Sequence, residues 1–230
     1  NPKGKYFYIF NQNELKAIKE RFYQSTDRQP DLEFIHDGYL SDLNNKAFLH
    51  TICNRRHIIL RSSTGSGKTY LSYQIAEAWN DTTHYPTLIA APLNAIIEQQ
   101  RSGNKNPKFG FCTAANLQSE IQNFRECGFV GLFVNYDNLK AAAAAALEMF
   151  GGYNLIVDES HQITTAFGYK PEVVRAVTTA TATSNKVILM SATPSLLGLD
   201  SFYFIDVKRS TPPPTPQIIY HTTSVLSTLV

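Results

Sequence analysis

A lysine that grips phosphate needs main-chain amides around it, and Ser63-Thr64-Gly65-Ser66-Gly67-Lys68-Thr69 has the residue types for such a site. Gly65 and Gly67 let the backbone approach anionic oxygens with no Cβ in the way. Lys68 can bridge β- and γ-phosphates, and the Thr69 hydroxyl can reach a magnesium ion. The loop follows the apolar run His57-Ile58-Ile59-Leu60 and precedes the helical pattern of Tyr70 to Glu77. A turn from strand to helix gathers amide donors at the positive end of the helix dipole. The general pattern G-x-x-x-x-G-K-[ST] asks for glycine where this chain has Ser62, a residue small enough for a tight turn.

Hydrolysis asks for more than phosphate binding: a second magnesium anchor and a group that orients the attacking water. Tyr153-Asn154-Leu155-Ile156-Val157-Asp158-Glu159-Ser160-His161 offers both. An apolar strand ending in paired acids puts them at the carboxyl edge of a sheet, where ligands of open α/β folds bind. Asp158 is the predicted magnesium anchor and Glu159 the predicted water-orienting group. Alone, such a pair is as readily a surface turn; the phosphate loop upstream decides the reading.

These residues must be held by a scaffold, and the chain's rhythm supplies one. Short apolar runs at 57–61, 87–91, 131–134, 155–158, 186–190 and 202–207 alternate with helical patterns, as expected for a mainly parallel central sheet flanked by helices, its strands buried on both faces. Residues 1–54 read as an N-terminal accessory helical segment: an amphipathic helix over 11–24 carried by Leu15, Ile18, Phe22 and Tyr23, a turn-rich stretch over 29–41, and a second helix to about Asn54. The main domain is expected over 55–208. Beyond it, Pro212, Pro213, Pro214 and Pro216 forbid helix or central strand, so 209–230 reads as a linker and the start of another domain. The run Ala141 to Ala146 predicts helix and carries no chemistry.

Composition bounds the rest. A formal charge of +2 and a pI near 8.4 are too mild to identify a nucleic-acid partner by charge alone. Three cysteines with no CxxC spacing argue against zinc or a redox centre. No apolar run is long enough to span a bilayer, and the first residues are no signal peptide, so a soluble intracellular protein without membrane contact is expected. The abundance of Lys, Asn and Tyr is one that AT-rich genomes produce, those of phage and mobile elements among them.

Ser63 to Thr69, then Asp158-Glu159-Ser160-His161, then Ser191-Ala192-Thr193 together resemble, in order and spacing, motifs I, II and III of superfamily-2 DEAD/DEAH-type helicases. The resemblance runs over roughly 58–193 and implies a RecA-like P-loop NTPase fold, ATP and Mg2+ as cofactors, DNA or RNA as partner, and the first of two motor domains. By carry-over His161, Ser191 and Thr193 couple the ATP site to the nucleic-acid path. The segment Leu88 to Gln99, with Pro92 and Asn94, resembles motif Ia. Val134 to Leu139 resembles a contact written T-Y-x-x-L, with Asn135 in place of threonine and Tyr136 following. Pro92, Asn94, Asn135 and Tyr136 are thus the expected nucleic-acid contacts, with Phe111 to Ala114 a weaker candidate. No glutamine motif precedes the phosphate loop, so the resemblance does not carry adenine selectivity with it. In such enzymes an arginine finger comes from a second RecA-like domain; nothing in the chain matches one, so this piece should bind nucleotide and hydrolyse it slowly. A terminase-like viral DNA-packaging ATPase, or a nucleotide-gated module without turnover, would use the same residues.

Overall fold

The computed structural model describes residues 28–43, 45–103, 106–166, 170–194 and 199–210. In chain order it contains β1 (Leu32–Ile35), a 3-10 turn (Leu40–Asp42), α1 (Lys46–Asn54), β2 (His57–Ser62), α2 (Lys68–Thr83), β3 (Thr87–Ala91), α3 (Asn94–Gly103) and β4 (Phe109–Cys112). The second half holds α4 (Leu117–Cys127), β5 (Gly131–Asn135), α5 (Leu139–Phe150), β6 (Asn154–Val157), α6 (His161–Ala166), α7 (Pro171–Thr183), β7 (Val187–Ser191) and β8 (Tyr203–Lys208). The strands form one sheet in the order β1-β8-β2-β7-β6-β3-β5-β4, and every pairing is parallel.

The expected α/β architecture is therefore found, with a wholly parallel sheet. Central strands such as β3, β5, β6 and β7 are buried at every position, which is why their sequences read as continuous apolar runs. Side chains alternate between the faces. Ile58, Leu60, Ile89, Ile156 and Ile188 pack with Phe48 and Ile52 of α1, Leu71, Ile75 and Trp79 of α2, and Ile97 of α3. On the other face Leu88, Leu132, Leu155 and Leu189 meet Phe124 of α4, Leu139 and Ala142 of α5, and Val173 and Val177 of α7. Trp79, fully buried, also donates its indole N–H to the Ile52 carbonyl at 2.9 Å and so ties α2 to α1.

Two strands were not expected. Residues 32–35 fall in the stretch read as turn-rich, yet Leu-Glu-Phe-Ile pairs in register with β8 as an edge strand. Its burial alternates, as suits an edge, and the flanking Pro30, Asp31, Asp37 and Gly38 mark its ends rather than a long loop. The sheet thus begins well before residue 55, and the second expected helix of that segment is α1, capped by the Asn45 side chain accepting from Ala47 and Phe48 amides. β4 is the other, a four-residue strand at the opposite edge pairing with β5. The helix expected over 11–24 and the Pro-rich stretch after 210 lie outside the described residues.

Candidate functional site

Because every strand runs the same way, all the motif residues gather along one edge. The phosphate-type loop leaves β2, Pro92 leaves β3, Asn135 ends β5, Asp158 follows β6 and Ser191 ends β7. α2 begins at Lys68 with Gly67 before it in the left-handed region (φ 83°), where a side chain is strained. A Cβ on Gly67 would also stand 3.2 Å from the Tyr39 ring. Leu40 donates its amide to the Ser66 carbonyl at 2.8 Å, so residues 39–40 brace the loop from outside. No sequence signal foretold this contact, since it joins a motif to an unpatterned stretch. Ser62, which stands where the general pattern has glycine, is buried with its hydroxyl 3.0 Å from that of Ser66. The departure thus serves as a brace inside the loop.

Lys68 is buried and directs Nζ at the carbonyls of Ser62 and Ser63, at 3.4 and 3.1 Å. The Ser63 hydroxyl is buried with no hydrogen-bond partner. Thr69 donates its hydroxyl to Asp158 Oδ2 at 3.2 Å, so loop and acid pair meet across the sheet edge. Asp158 is 4% exposed. Burial pushes its carboxyl above the ordinary carboxylate range and the Glu159 charge adds to this; Lys68, the Thr69 hydroxyl and the Glu159 amide, which donates to Asp158 Oδ1 at 3.0 Å, pull the other way without cancelling it. Thr69 and Asp158 offer hard oxygen donors of the kind magnesium takes, a metal held by few protein ligands and completed by phosphate and water. Among the described residues no group of three His, Cys, Asp or Glu could hold a metal by itself. An orphaned hydroxyl, a buried lysine, glycines at positive φ and these two oxygens fit a magnesium-bound polyphosphate.

Glu159 has φ 51°, a left-handed conformation that costs a non-glycine residue energy and turns the chain from β6 into α6. His161, opening α6, holds Nδ1 3.0 Å from Ser191 Oγ and 3.3 Å from Glu159 Oε2. The Ser191 hydroxyl also accepts the Thr193 amide at 3.0 Å. Motif II and the end of β7 are therefore joined through Ser191, with Thr193 taking part by its backbone and its side chain exposed.

Residues expected to meet nucleic acid divide in two. Pro92 is half-buried and Asn94, opening α3, is exposed beside Leu93. Asn135 and Tyr136 are each 4% exposed, too little to form a contact surface. Tyr136 continues the β3–β5 ladder by donating its amide to the Ala91 carbonyl, which turns its ring into the core. Asn135 donates Nδ2 to Asn94 Oδ1 at 2.6 Å and accepts the Asn138 amide at 2.9 Å, so it orients Asn94 rather than a ligand. In the weaker candidate segment Phe111, Cys112 and Thr113 are buried and only Ala114 is exposed.

Solved structures of similar fold include the ATP-dependent Type ISP restriction-modification enzyme LlaBIII bound to DNA, at 18% identity and TM-score 0.54 over 71% of this chain. The yeast DEAD-box splicing factor Prp28 follows at 16% identity and TM-score 0.51 over 91%, and the Pyrococcus furiosus Hef helicase domain at 16% and 0.52 over 86%. This chain spans 14%, 60% and 39% of those chains respectively. At such identities the likeness speaks for the fold. Among curated proteins none matches the chain. A family model for DEAD/DEAH box helicases matches residues 44–201, well over half of the sequence, and the chain belongs to that family.

Proposed function

We propose that this chain is the first motor domain of an ATP-dependent helicase or translocase, binding Mg-ATP at the β2–β6 edge and one strand of DNA or RNA along the ends of β3 and β5. The observation that carries the reading is the Thr69–Asp158 contact of 3.2 Å, which sets a magnesium-type oxygen pair beside the buried Lys68. The loop amides and Lys68 hold the phosphates, and Thr69 with Asp158 hold the metal. Bound magnesium supplies neutralisation of charge on the phosphoryl oxygens. Glu159, one residue beyond the anchor and fixed by its strained backbone, orients and deprotonates the attacking water. His161 and Ser191 carry the change at the phosphate end towards β7. On the nucleic-acid side, exposed Asn94 at the start of α3 makes the contact and Asn135 holds it in place, with Pro92 shaping the turn. An arginine from a second motor domain is worth about 10³ to 10⁵ in related phosphoryl transfers, so these residues by themselves turn over slowly.

The test is steady-state ATPase activity of the full-length protein with and without single-stranded DNA or RNA. Lys68→Ala abolishes turnover. Glu159→Gln keeps nucleotide affinity and lowers kcat by about 10² to 10⁴, the usual worth of a positioned general base. Normal hydrolysis by Glu159→Gln removes Glu159 from its role, and an ATPase indifferent to both nucleic acids removes the motor reading.

A further inference from the structure

The carbonyl of Asp158 has an unusual partner. β3 and β6 pair in parallel with Ala90 opposite Val157, and the Asp158 amide donates to the Ala90 carbonyl at 2.8 Å. Parallel ladders repeat every two residues, so the next donor, the one for the Asp158 carbonyl, falls to residue 92. Residue 92 is proline and has no N–H. A carbonyl beside a 4% exposed aspartate cannot be left bare without cost. The bond is supplied from a third strand: the Tyr136 hydroxyl, from the turn after β5, donates to the Asp158 carbonyl at 2.5 Å.

The turn that carries Tyr136 is the turn that sets Asn94. Asn135 donates to Asn94 Oδ1 and accepts from Asn138, and Tyr136 itself bonds the Ala91 carbonyl just before Pro92. A shift of Asn94 or of this turn therefore moves a hydroxyl bonded to the main chain of the magnesium anchor. An amide at position 92 would have satisfied the same carbonyl from the neighbouring strand with no link to β5.

Resting on the helicase reading above, we propose that Tyr136 is a positioning residue: its hydroxyl, standing in for the amide that Pro92 lacks, transmits nucleic-acid engagement at Asn94, which Asn135 holds, to the acid pair Asp158-Glu159. This path is separate from the His161–Ser191 link, which lies on the β7 side of the same acids.

The test measures ATPase stimulation by saturating single-stranded nucleic acid in the full-length protein. Tyr136→Phe keeps the ring and removes only the donor. It lowers the fold-stimulation by about tenfold, within the usual range of coupling between sites, while ATP KM without nucleic acid changes less than about twofold. A double-mutant cycle with Pro92→Ala separates coupling from mere hydrogen-bond satisfaction. With an amide restored at 92, any loss of Tm caused by Tyr136→Phe disappears, whereas the loss of stimulation persists relative to Pro92→Ala alone. Stimulation of Tyr136→Phe within about twofold of wild type overturns the proposal, as does a Pro92→Ala background in which Tyr136→Phe no longer affects stimulation. A wild-type ATPase that neither DNA nor RNA stimulates overturns the helicase reading itself, and the proposal with it.

Discussion

Two aspartates are buried near the carboxyl ends of strands in the same sheet, and their surroundings treat the charge in opposite ways. Asp206 in β8 is 2% exposed and sits opposite Arg61 of β2 in the register. The guanidinium donates Nε and Nη2 to its two carboxylate oxygens at 2.9 and 2.5 Å and lies over the Phe204 ring at 4.9 Å. The Lys208 ammonium stands 3.8 Å from Oδ2, the oxygen that Nη2 also meets. Asp158 in the turn after β6 receives one hydroxyl and one amide and no guanidinium fork, and a second acid is its chain neighbour. Burial, with the Glu159 charge beside it, holds its carboxyl above the usual range, and Lys68, the Thr69 hydroxyl and the Glu159 amide do not offset this. Burial of an acid is thus no mark of a functional site by itself. Incomplete compensation is the mark, because a buried anion that the protein does not neutralise calls for a cation from outside.

The largest effect that can break this contrast is on turnover. Anchoring a catalytic metal is worth several kcal/mol, and each 1.36 kcal/mol is a factor of ten. Asp158→Ala in the full-length protein therefore lowers kcat by about 10³, as read by ATP hydrolysis at saturating magnesium. A loss smaller than about tenfold would put Asp158 in the same structural class as Asp206. Next comes stability at the other acid. Removing one partner of a fully buried pair costs about 3–5 kcal/mol. The Arg61 side chain is a third exposed, so solvent takes up part of this and about 2 kcal/mol is expected for Arg61→Met. Calorimetry should then show Tm falling by about 4–8 °C for a domain of this size; an unchanged Tm would mean that Asp206 finds its compensation elsewhere.

How far this contrast could be read from sequence follows from what makes each part local. The phosphate loop and the acid pair are contiguous motifs whose chemistry depends on short-range spacing, so Gly65, Gly67, Lys68, Thr69, Asp158 and Glu159 stand out in one dimension. The strands carrying them are apolar runs buried on both faces, and all six expected runs form. What depends on register stays hidden. The Arg61–Asp206 pair joins residues 145 apart in the chain, and the hydroxyl of Tyr136, after β5, reaches Asp158, after β6, past the intervening β3. The sequence pattern puts Asn135 and Tyr136 at the carboxyl end of β5 but does not tell which way a side chain turns where strand becomes loop. β1 escaped because four residues with alternating burial between Pro30 and Gly38 resemble a turn-rich stretch until β8 arrives, some 170 residues later, to pair with it.

The smallest effect is a change of sign, and it separates the two acids most directly. The folded-state carboxyl of Asp158 is raised above its unfolded value. The folded state therefore holds the proton more tightly, and the stability this confers is present below the ordinary carboxylate range and lost as pH rises through the raised value. At pH 7, without magnesium or nucleotide, wild type carries an ionised buried carboxylate. Asp158→Asn keeps the shape and removes the charge, so it should melt above wild type at pH 7 by about 2–4 °C for each kcal/mol relieved, with the gap closing towards acid pH. Magnesium and ATP should close it from the other direction, because binding to the native state raises Tm only for a protein that still binds. Asp206→Asn should melt below wild type under the same conditions, since it weakens the charge-assisted fork on Arg61. If Asp158→Asn instead melts below wild type in the metal-free protein at pH 7, Thr69, Lys68 and the Glu159 amide already satisfy that carboxylate, and the two aspartates differ in position rather than in kind.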